Sequence, residues 1–434
     1  MTPQFAKCRA LASLWPFVGV LLCISPFSSA MAGELGDLLR NSLQHPQVRA
    51  AANQTEAAQA QSDAATGRYF GSAIIAAGWH GYEDKRVVGL YAPGAPILPL
   101  VSDRIVQSGV NYSLPVDVFG VIAANQERAG HDLRAAGLLG RQQALLKMHQ
   151  AATAYLTLQS LLKQREALML SRKRVEITYQ RVRREFELGK AAGVDARYAE
   201  AELARLNADE AVLTGAMAQA QADFAEATGR SQFLPTVSKI HVPRWETGSD
   251  DSLAVQIAEA RQQSAQALAD ESRRSLFPTF AIDANYFRNS VPGGDHRDTW
   301  AIGAVVSVPL SVSQRRQVSA QEFTAAAAAD QREAAARDAE RQLASLRAAH
   351  ESGLADAAAM ESEVSYREEI SHVQQTMQQL GNQTLENLFR HERDLLDARY
   401  RLAQASARAA AAWSAAQVVN GLAPEVYISQ MDAQ

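Results

Sequence analysis

Two stretches of the chain repeat one another at an interval that slips by only two residues, and any fold proposed for one half must serve the other. Near position 110 the sequence reads NYSLPVDVFG and near 304 it reads AVVSVPLSVS. In both, apolar residues lead to a proline, Pro115 or Pro309, and then into a long helical pattern, at an offset of 194. Farther on, FELGKAAGVDARYAEAEL matches MQQLGNQTLENLFRHERDL, setting Leu188-Gly189 against Leu380-Gly381 at an offset of 192. Each half then closes on a glycine, Gly229 or Gly421, 40 residues beyond the first. Such repetition outranks the prior of about three domains that the 434-residue length alone suggests.

Within each unit the pattern predicts helix, strand, strand, long helix, turn and return helix. The first unit places a helix at 42–67, strands at 70–82 and 104–116, a long helix at 118–188 and a return helix at 195–228. The second places them at 252–275, 278–289, 298–310, 312–380 and 386–420. Phe280, Ile282, Ala284 and Tyr286 alternate onto one face, as do Trp300, Ile302, Ala304, Val306 and Val308, and likewise Val106, Val110, Tyr112 and Leu114. GSAIIAAGWHGY alternates poorly and is the weakest of the four strands. Scarce Gly and Pro, 25 and 14 residues, suit long helices. At 1.5 Å per residue a helix of about 70 residues is about 105 Å long, so each unit reads as a rod with its strands at one end.

The spacing along 145–182 describes the wall such rods form. Leu145, Met148, Ala152, Tyr155, Leu162 and Met169 make one stripe; Ala151, Ala154, Leu158, Leu161, Leu168, Val175 and Val182 make a second. Two seams per helix mean two neighbours, as in a cylindrical wall, although periodicity alone also fits a four-helix bundle. Thr153, Ser160, Arg174 and Arg181 fall between the stripes, on a face expected to be polar.

Lys7 and Arg9 precede an apolar run from Leu11 to Phe27, and Ala30-Met31-Ala32 has the small-x-small form of a cleavage site. The expected organisation is therefore a signal peptide at 1–32, a first repeat at 33–230, a linker at 231–251, a second repeat at 252–421 and a tail at 422–434. Cys8 and Cys23 would leave with the signal peptide; Leu22 before Cys23 disfavours a lipidation motif. Beyond residue 32 no stretch reaches 18 consecutive apolar residues, so any membrane span must be made of strands. Four strands cannot close a membrane barrel, since an open edge in lipid leaves backbone groups unpaired. Oligomerisation about a cyclic axis would close strands and helices together. A net charge of −4 without a basic face or motif argues against nucleic acid.

The glycine turns LGKAAGVD and LGNQTLEN, each followed by the A-x-x-x-L pattern of a return helix, and the strand ends SLPV and SVPL resemble the TolC-like outer membrane efflux protein family over about 40–421. The resemblance implies a mainly α fold with β-strands: a duplicated unit of long antiparallel helices plus two strands each. It also implies a homotrimer that forms a 12-stranded β-barrel in outer-membrane lipid and a periplasmic α-helical barrel. Such a duct is passive. It serves a tripartite efflux or type I secretion system, in which a periplasmic adaptor docks at the hairpin tips and an inner-membrane RND or ABC pump supplies the energy. The tip residues are then Leu188, Gly189 and Lys190 in the first repeat and Leu380, Gly381 and Asn382 in the second. Where family members carry acidic residues at the periplasmic gate, this chain has Asp195 but Asn387 and Arg390, with Gln383 where some members place an arginine, so its closure is expected to differ.

Arg172-Lys173-Arg174 and Arg181-Val182-Arg183-Arg184 read as a solvated basic face partnered by Glu166, Glu176, Glu185 and Glu187. His391-Glu392 lacks the second histidine of HExxH, and no G-x-S-x-G, P-loop or GxGxxG occurs, so neither an enzyme nor a cofactor is expected. A soluble periplasmic coiled-coil adaptor or scaffold is the rival reading; adaptors usually have one hairpin, and this chain has two.

Overall fold

The computed structural model describes residues 33–88, 100–231, 233–235, 240–245, 252–379 and 383–432. The expected signal peptide and the second tip residues Leu380, Gly381 and Asn382 lie outside them. Helices α1 (Glu34–Ser42) and α2 (Pro46–Gly67) lead to strands β1 (Ser72–Val87) and β2 (Val101–Val116), then to α3 (Val121–Glu187) and α4 (Gly193–Thr228). The second half runs α5 (Leu253–Arg274), β3 (Thr279–Ser290), β4 (His296–Ser307), α6 (Val312–Gln379), α7 (Leu385–Asn420) and α8 (Pro424–Met431). The long helices have 67 and 68 residues and the return helices 36 each, so the halves match arm for arm.

Helix α3 is paired along its whole length on both flanks. On one, α2 meets its upper part, with Thr55 Oγ1 donating to the Ala136 carbonyl, and α4 continues lower down, where Lys147 reaches Glu226 and Arg172 reaches Glu210. On the other, α5 meets the upper part through Glu271 to Asn125 and Arg128, and α7 the lower part through Ser414 to His149 and Glu392 to Arg174. Helix α6 packs against α5 and α7. The order of columns is thus α2/α4, α3, α5/α7, α6, a wall one helix thick. Its open edges are α2/α4 at one side and α6 at the other.

Two apolar clusters hold this wall. The first gathers Leu145, Met148, Leu158, Phe224, Trp413 and Tyr427 about midway along α3; the second gathers Leu168, Val175, Val182, Leu206, Leu388 and Phe389 toward the hairpin ends. Both stripes read from the spacing supply these clusters, but Met169 is 49% exposed and Ser160 is buried. A column flanked on both sides has little free surface, so Ser160 lies inside a seam, where it accepts a hydrogen bond from Gln164. At Gly353 the α6 and α7 backbones come so close that a Cβ would sit 3.0 Å from Ala409 Cβ.

The structure adds two short helices the periodicity does not reveal. Helices α1 and α8 pack together, burying Leu38, Leu39, Tyr427 and Ile428, and the Asp432 carboxylate accepts the Gly33 and Gly36 amides at the α1 N-terminus. A carboxylate there satisfies orphan donors and complements the helix dipole. Strand β1 runs on to Val87 rather than ending at 82; Gly78, Gly81 and a bulge between Gly81 and Arg86 mask its alternation. Strand β4 begins at His296 and stops at Ser307 instead of 310, since Pro309 has no amide for a ladder.

The four strands form one antiparallel sheet in the order β1-β2-β3-β4. Its open edges are β1, which follows α2, and β4, which leads into α6. Sheet and helical wall are therefore open on the same two columns.

Candidate functional site

The pairing register sorts the sheet into two faces of opposite chemistry. Val110 lies opposite Ile75 and Tyr286, Tyr112 opposite Ala73 and Ala284, Leu114 opposite Ile282, and Trp300 opposite Tyr286. In these rows the face is apolar from edge to edge; two residues farther from the helices it carries Ser108, Arg288 and Asp298. The other carries Gln107, Asn111 and Ser113 on β2, Asp283, Asn285 and Asn289 on β3, and Thr299 on β4, with Gln107 bonded to Asn289 at 3.0 Å. A soluble half-buried sheet hides its apolar side, yet here Ile75 is 83% exposed, Trp300 72% and Ile302 70%.

The apolar face has the dimensions of a bilayer core. From Val116 to Val106 the outward residues of β2, Ser108 among them, span about 34 Å of strand, or about 26 Å along a normal tilted by about 40°, against about 25 Å for an outer-membrane apolar band. Aromatic residues border it. At the helix end Phe119 stacks on Phe277 with centroids 4.9 Å apart, close to Phe280, and Tyr69 and Phe70 are exposed just ahead of β1. At the far end of β1 stands Trp79, opposite Val106, while Tyr286 and Trp300 lie four residues nearer the helices, in the row of Val110. No described helix is long and apolar enough to cross a membrane.

At the opposite end the first hairpin closes in a tight turn. Gly189 has φ of 72°, and the Gly189 and Lys190 amides donate to the Phe186 and Glu185 carbonyls at 2.9 and 2.7 Å. This is the paired bonding of a Schellman cap, which needs the left-handed conformation that glycine adopts without strain. Leu188 and Val194 are 70% and 77% exposed and Lys190 is exposed, so the tip presents apolar side chains beside a cation. Asp195 lies exposed in the first turn of α4, where its charge suits the helix dipole. Thr384 caps α7 by accepting the Asn387 amide, and the Arg390 guanidinium donates to the Asn387 side-chain oxygen. Gln383 is half-buried just ahead of that cap. Asn387 and Arg390 are thus brought together, while Asp195 has no side-chain partner among the described residues.

The basic stretch is divided: Lys173, Arg183 and Arg184 are exposed as a solvated face requires, while Arg172 and Arg174 turn to neighbouring helices. Arg172 bonds Glu210 on α4 at 2.8 Å, and Arg174 reaches Ser371 on α6 and Glu392 on α7 at 3.2 and 3.4 Å; Arg183 pairs with its expected neighbour, Glu187, at 3.4 Å. Arg172 and Arg174 fasten columns together because the seams leave no room for them to turn outward. A second cluster, unforeseen in the sequence, joins α4 to α7: Arg393 donates to Tyr198 at 2.7 Å and lies beside Glu202, which also receives Arg205 at 2.7 Å. Its hydrogen bonds hold the Arg205 guanidinium above its ordinary range, Glu202 being the largest cause. Only a short carboxylate-to-arginine reach between helices defines such a cluster, so sequence spacing carries no signal for it.

Midway along the wall, His149 bonds Ser414 at 2.7 Å and Ser414 meets the Tyr427 hydroxyl. Burial lowers the His149 pKa and raises that of the Tyr427 phenol, so both are neutral hydrogen-bonding groups. Ser414 is fully enclosed, which suits a buried polar chain rather than a nucleophile.

No protein-family model and no curated protein matches this sequence. Solved structures do match. VceC, an outer membrane protein of Vibrio cholerae, superposes with a TM-score of 0.75 at 18% identity, covering 89% of this chain and 96% of that one. The CmeC outer membrane channel of Campylobacter jejuni gives 0.76 at 13%, covering 92% and 89%. The MtrE outer membrane channel of Neisseria gonorrhoeae, in its open state, gives 0.74 at 18%, covering 89% and 88%. The fold is therefore shared with these channels over nearly its full length, as the resemblance to the TolC-like family implies.

Proposed function

We propose that the chain is the outer-membrane exit duct of an export system, conducting substrate passively from the periplasm to the cell exterior. One observation carries this reading: a sheet with an exposed apolar face of bilayer height, open on the same two columns as the wall of helices beneath it. An edge in lipid must find a partner, and only another copy offers both a strand and a helix at matching positions. Three copies would make 12 strands, within the range of outer-membrane barrels, and continue below as an α-helical barrel. In this reading residues 1–32 direct export and are removed, and the repeats 33–230 and 252–421 each contribute one hairpin.

The tips then meet a periplasmic adaptor joined to an inner-membrane RND or ABC pump, as a tripartite efflux or type I secretion arrangement requires. Exposed Leu188 and Val194 beside Lys190 supply the apolar contact at the first tip; Leu380, Gly381 and Asn382 occupy the second. Near the constriction, Asn387 paired with Arg390 replaces acidic side chains, which predicts weak cation selectivity. Asp195 and Gln383 flank that gate.

Cell fractionation tests the main reading: heat-modifiable oligomers in the outer membrane are expected, and a soluble periplasmic species would refute it. Single-channel recording tests the gate. Multivalent cations should block weakly, and strong block that is unchanged in Asn387→Asp and Arg390→Asp variants would sink the gate assignment.

A further inference from the structure

At the end of α8 the Asp432 carboxylate takes hold of the start of α1. One oxygen bonds the Gly33 nitrogen and the other the Gly36 amide, at 3.1 Å. Glycine at both places permits this approach: a Cβ would fall 2.4 Å from the carboxylate at Gly33 and 2.6 Å at Gly36, and would push it away. Asp432 is also the C-cap of α8, an end where the helix dipole disfavours an acid and favours a cation. Among the described residues no lysine or arginine pairs with it, and Arg40, the one basic residue of α1, pairs with Asp37 at 3.5 Å.

More negative charge shares this half-buried corner. Glu34, the first residue of α1, accepts the Tyr155 hydroxyl at 3.4 Å. Burial first, and then the charges of Glu34 and Asp432, push the Tyr155 phenol well above its ordinary range. The group these carboxylates surround is the Gly33 nitrogen. Residues 33–434 form one compact unit, and Ala30-Met31-Ala32 just ahead of Gly33 has the small-x-small form of a cleavage site. When the Ala32–Gly33 peptide bond is hydrolysed, the oxygen of water goes to the Ala32 carbonyl carbon and both its protons end on the Gly33 nitrogen. The leader leaves with a carboxylate and Gly33 becomes an ammonium, since an α-amino group is protonated at neutral pH. Alone, a cation at the N-terminus of α1 would oppose the helix dipole, and Asp432 supplies the counter-charge.

We propose that Asp432 is the binding site for the chain's own N-terminal ammonium, made when an endopeptidase of the export machinery cuts before Gly33, so that α1 locks onto α8 in the processed protein. The proposal rests on the removal of residues 1–32 and not on the duct reading. Before the cut Gly33 offers Asp432 one neutral amide proton; afterwards it offers a charged donor, whose bond to a carboxylate is roughly twice as strong. The two helices bring Leu38, Leu39, Tyr427 and Ile428 to the apolar cluster midway along α3, so cleavage tightens the wall at that level.

The test uses the whole protein, expressed with its leader and purified in mild detergent. Mass spectrometry should find Gly33 as the first residue, and any other first residue overturns the proposal. 2-Pyridinecarboxaldehyde, which reacts with unprotonated α-amines, should label Gly33 slowly, and about tenfold faster in Asp432→Asn, the ratio that about one pKa unit produces. Equal labelling of the two proteins overturns the proposal. A second chain, with Gly-Ser inserted between Ala32 and Gly33, presents an amide to Asp432 after the same cut. Its Tm should lie below that of the native chain, and Asp432→Asn should lower Tm less in it than in the native chain. An equal loss in both would reduce Asp432 to a helix cap and overturn the ammonium site. A soluble periplasmic chain that begins at Gly33 defeats the duct reading alone, because labelling and Tm still decide what Asp432 binds.

Discussion

Replacing Val110 by arginine while leaving Asn111 alone, and then the reverse, separates the two faces of the sheet with neighbouring residues. Val110 lies on the apolar face, six residues from Val116 and four from Val106. With the strand tilted by about 40°, the proposed barrel sets it about 15 Å above the lower limit of the band and about 10 Å below the upper, near the middle of the bilayer. An arginine there costs about 2–4 kcal/mol in each copy, roughly 30- to 1,000-fold in the folding equilibrium. Asn111 points the other way, and its side-chain oxygen is buried without a partner, so exchanging it forfeits no hydrogen bond at that atom. Asn111→Arg is expected to change stability by no more than about 0.5 kcal/mol. Urea-dependent refolding into phospholipid vesicles, followed by heat-modifiable mobility on a gel, measures both. Equal effects of the two substitutions, or a larger one at Asn111, would refute the assignment of faces.

Other perturbations probe the wall. Trp413→Ala empties a fully enclosed site and removes the indole bond to the Arg244 carbonyl, 3.1 Å long, for an expected loss of about 3–5 kcal/mol by thermal unfolding. Glu392→Ala strips Arg174 and Ser371 of a buried acceptor and should cost about 1–3 kcal/mol, whereas Arg183→Ala breaks an exposed, solvent-screened pair and should cost less; limited proteolysis near the hairpin ends compares them. Burial lowers the His149 pKa from its ordinary 6.5, so the folded state prefers the neutral ring. Its stabilisation is complete above pH 6.5 and fades as pH falls through the depressed value, and a His149→Gln variant should show a flatter pH profile of Tm there.

The long arms were legible because each element depends on a local period. Heptad stripes, alternating strands and two glycine turns mark α3, α4, α6, α7 and three of the four strands within a few residues. Where burial depends on distant partners the signal fades. Helices α1 and α8 exist because Leu38, Leu39, Tyr427 and Ile428 hide one another from opposite ends of the chain, and neither is long enough to announce itself. Ser160 reads as polar surface and lies in a seam, because only the number of neighbouring columns decides which side of α3 meets water. At the tip, Gly189 was readable from its place after a helix. The Arg393, Glu202 and Tyr198 cluster was not, since it joins side chains nearly two hundred positions apart.

The two open edges of the wall are different surfaces, strand β1 with α2 and α4 at one and β4 with α6 at the other, so each copy offers a donor side and an acceptor side. Contacts of that kind close a ring or continue as a chain. A subunit damaged on one side alone still joins through the other and spoils the ring it enters. In the proposed ring of three, with equal amounts of sound and damaged subunits, about one ring in eight would be free of damage. Edge lesions in such a protein should therefore be dominant over the normal gene, while lesions in its seams, which unfold only their own chain, should be recessive.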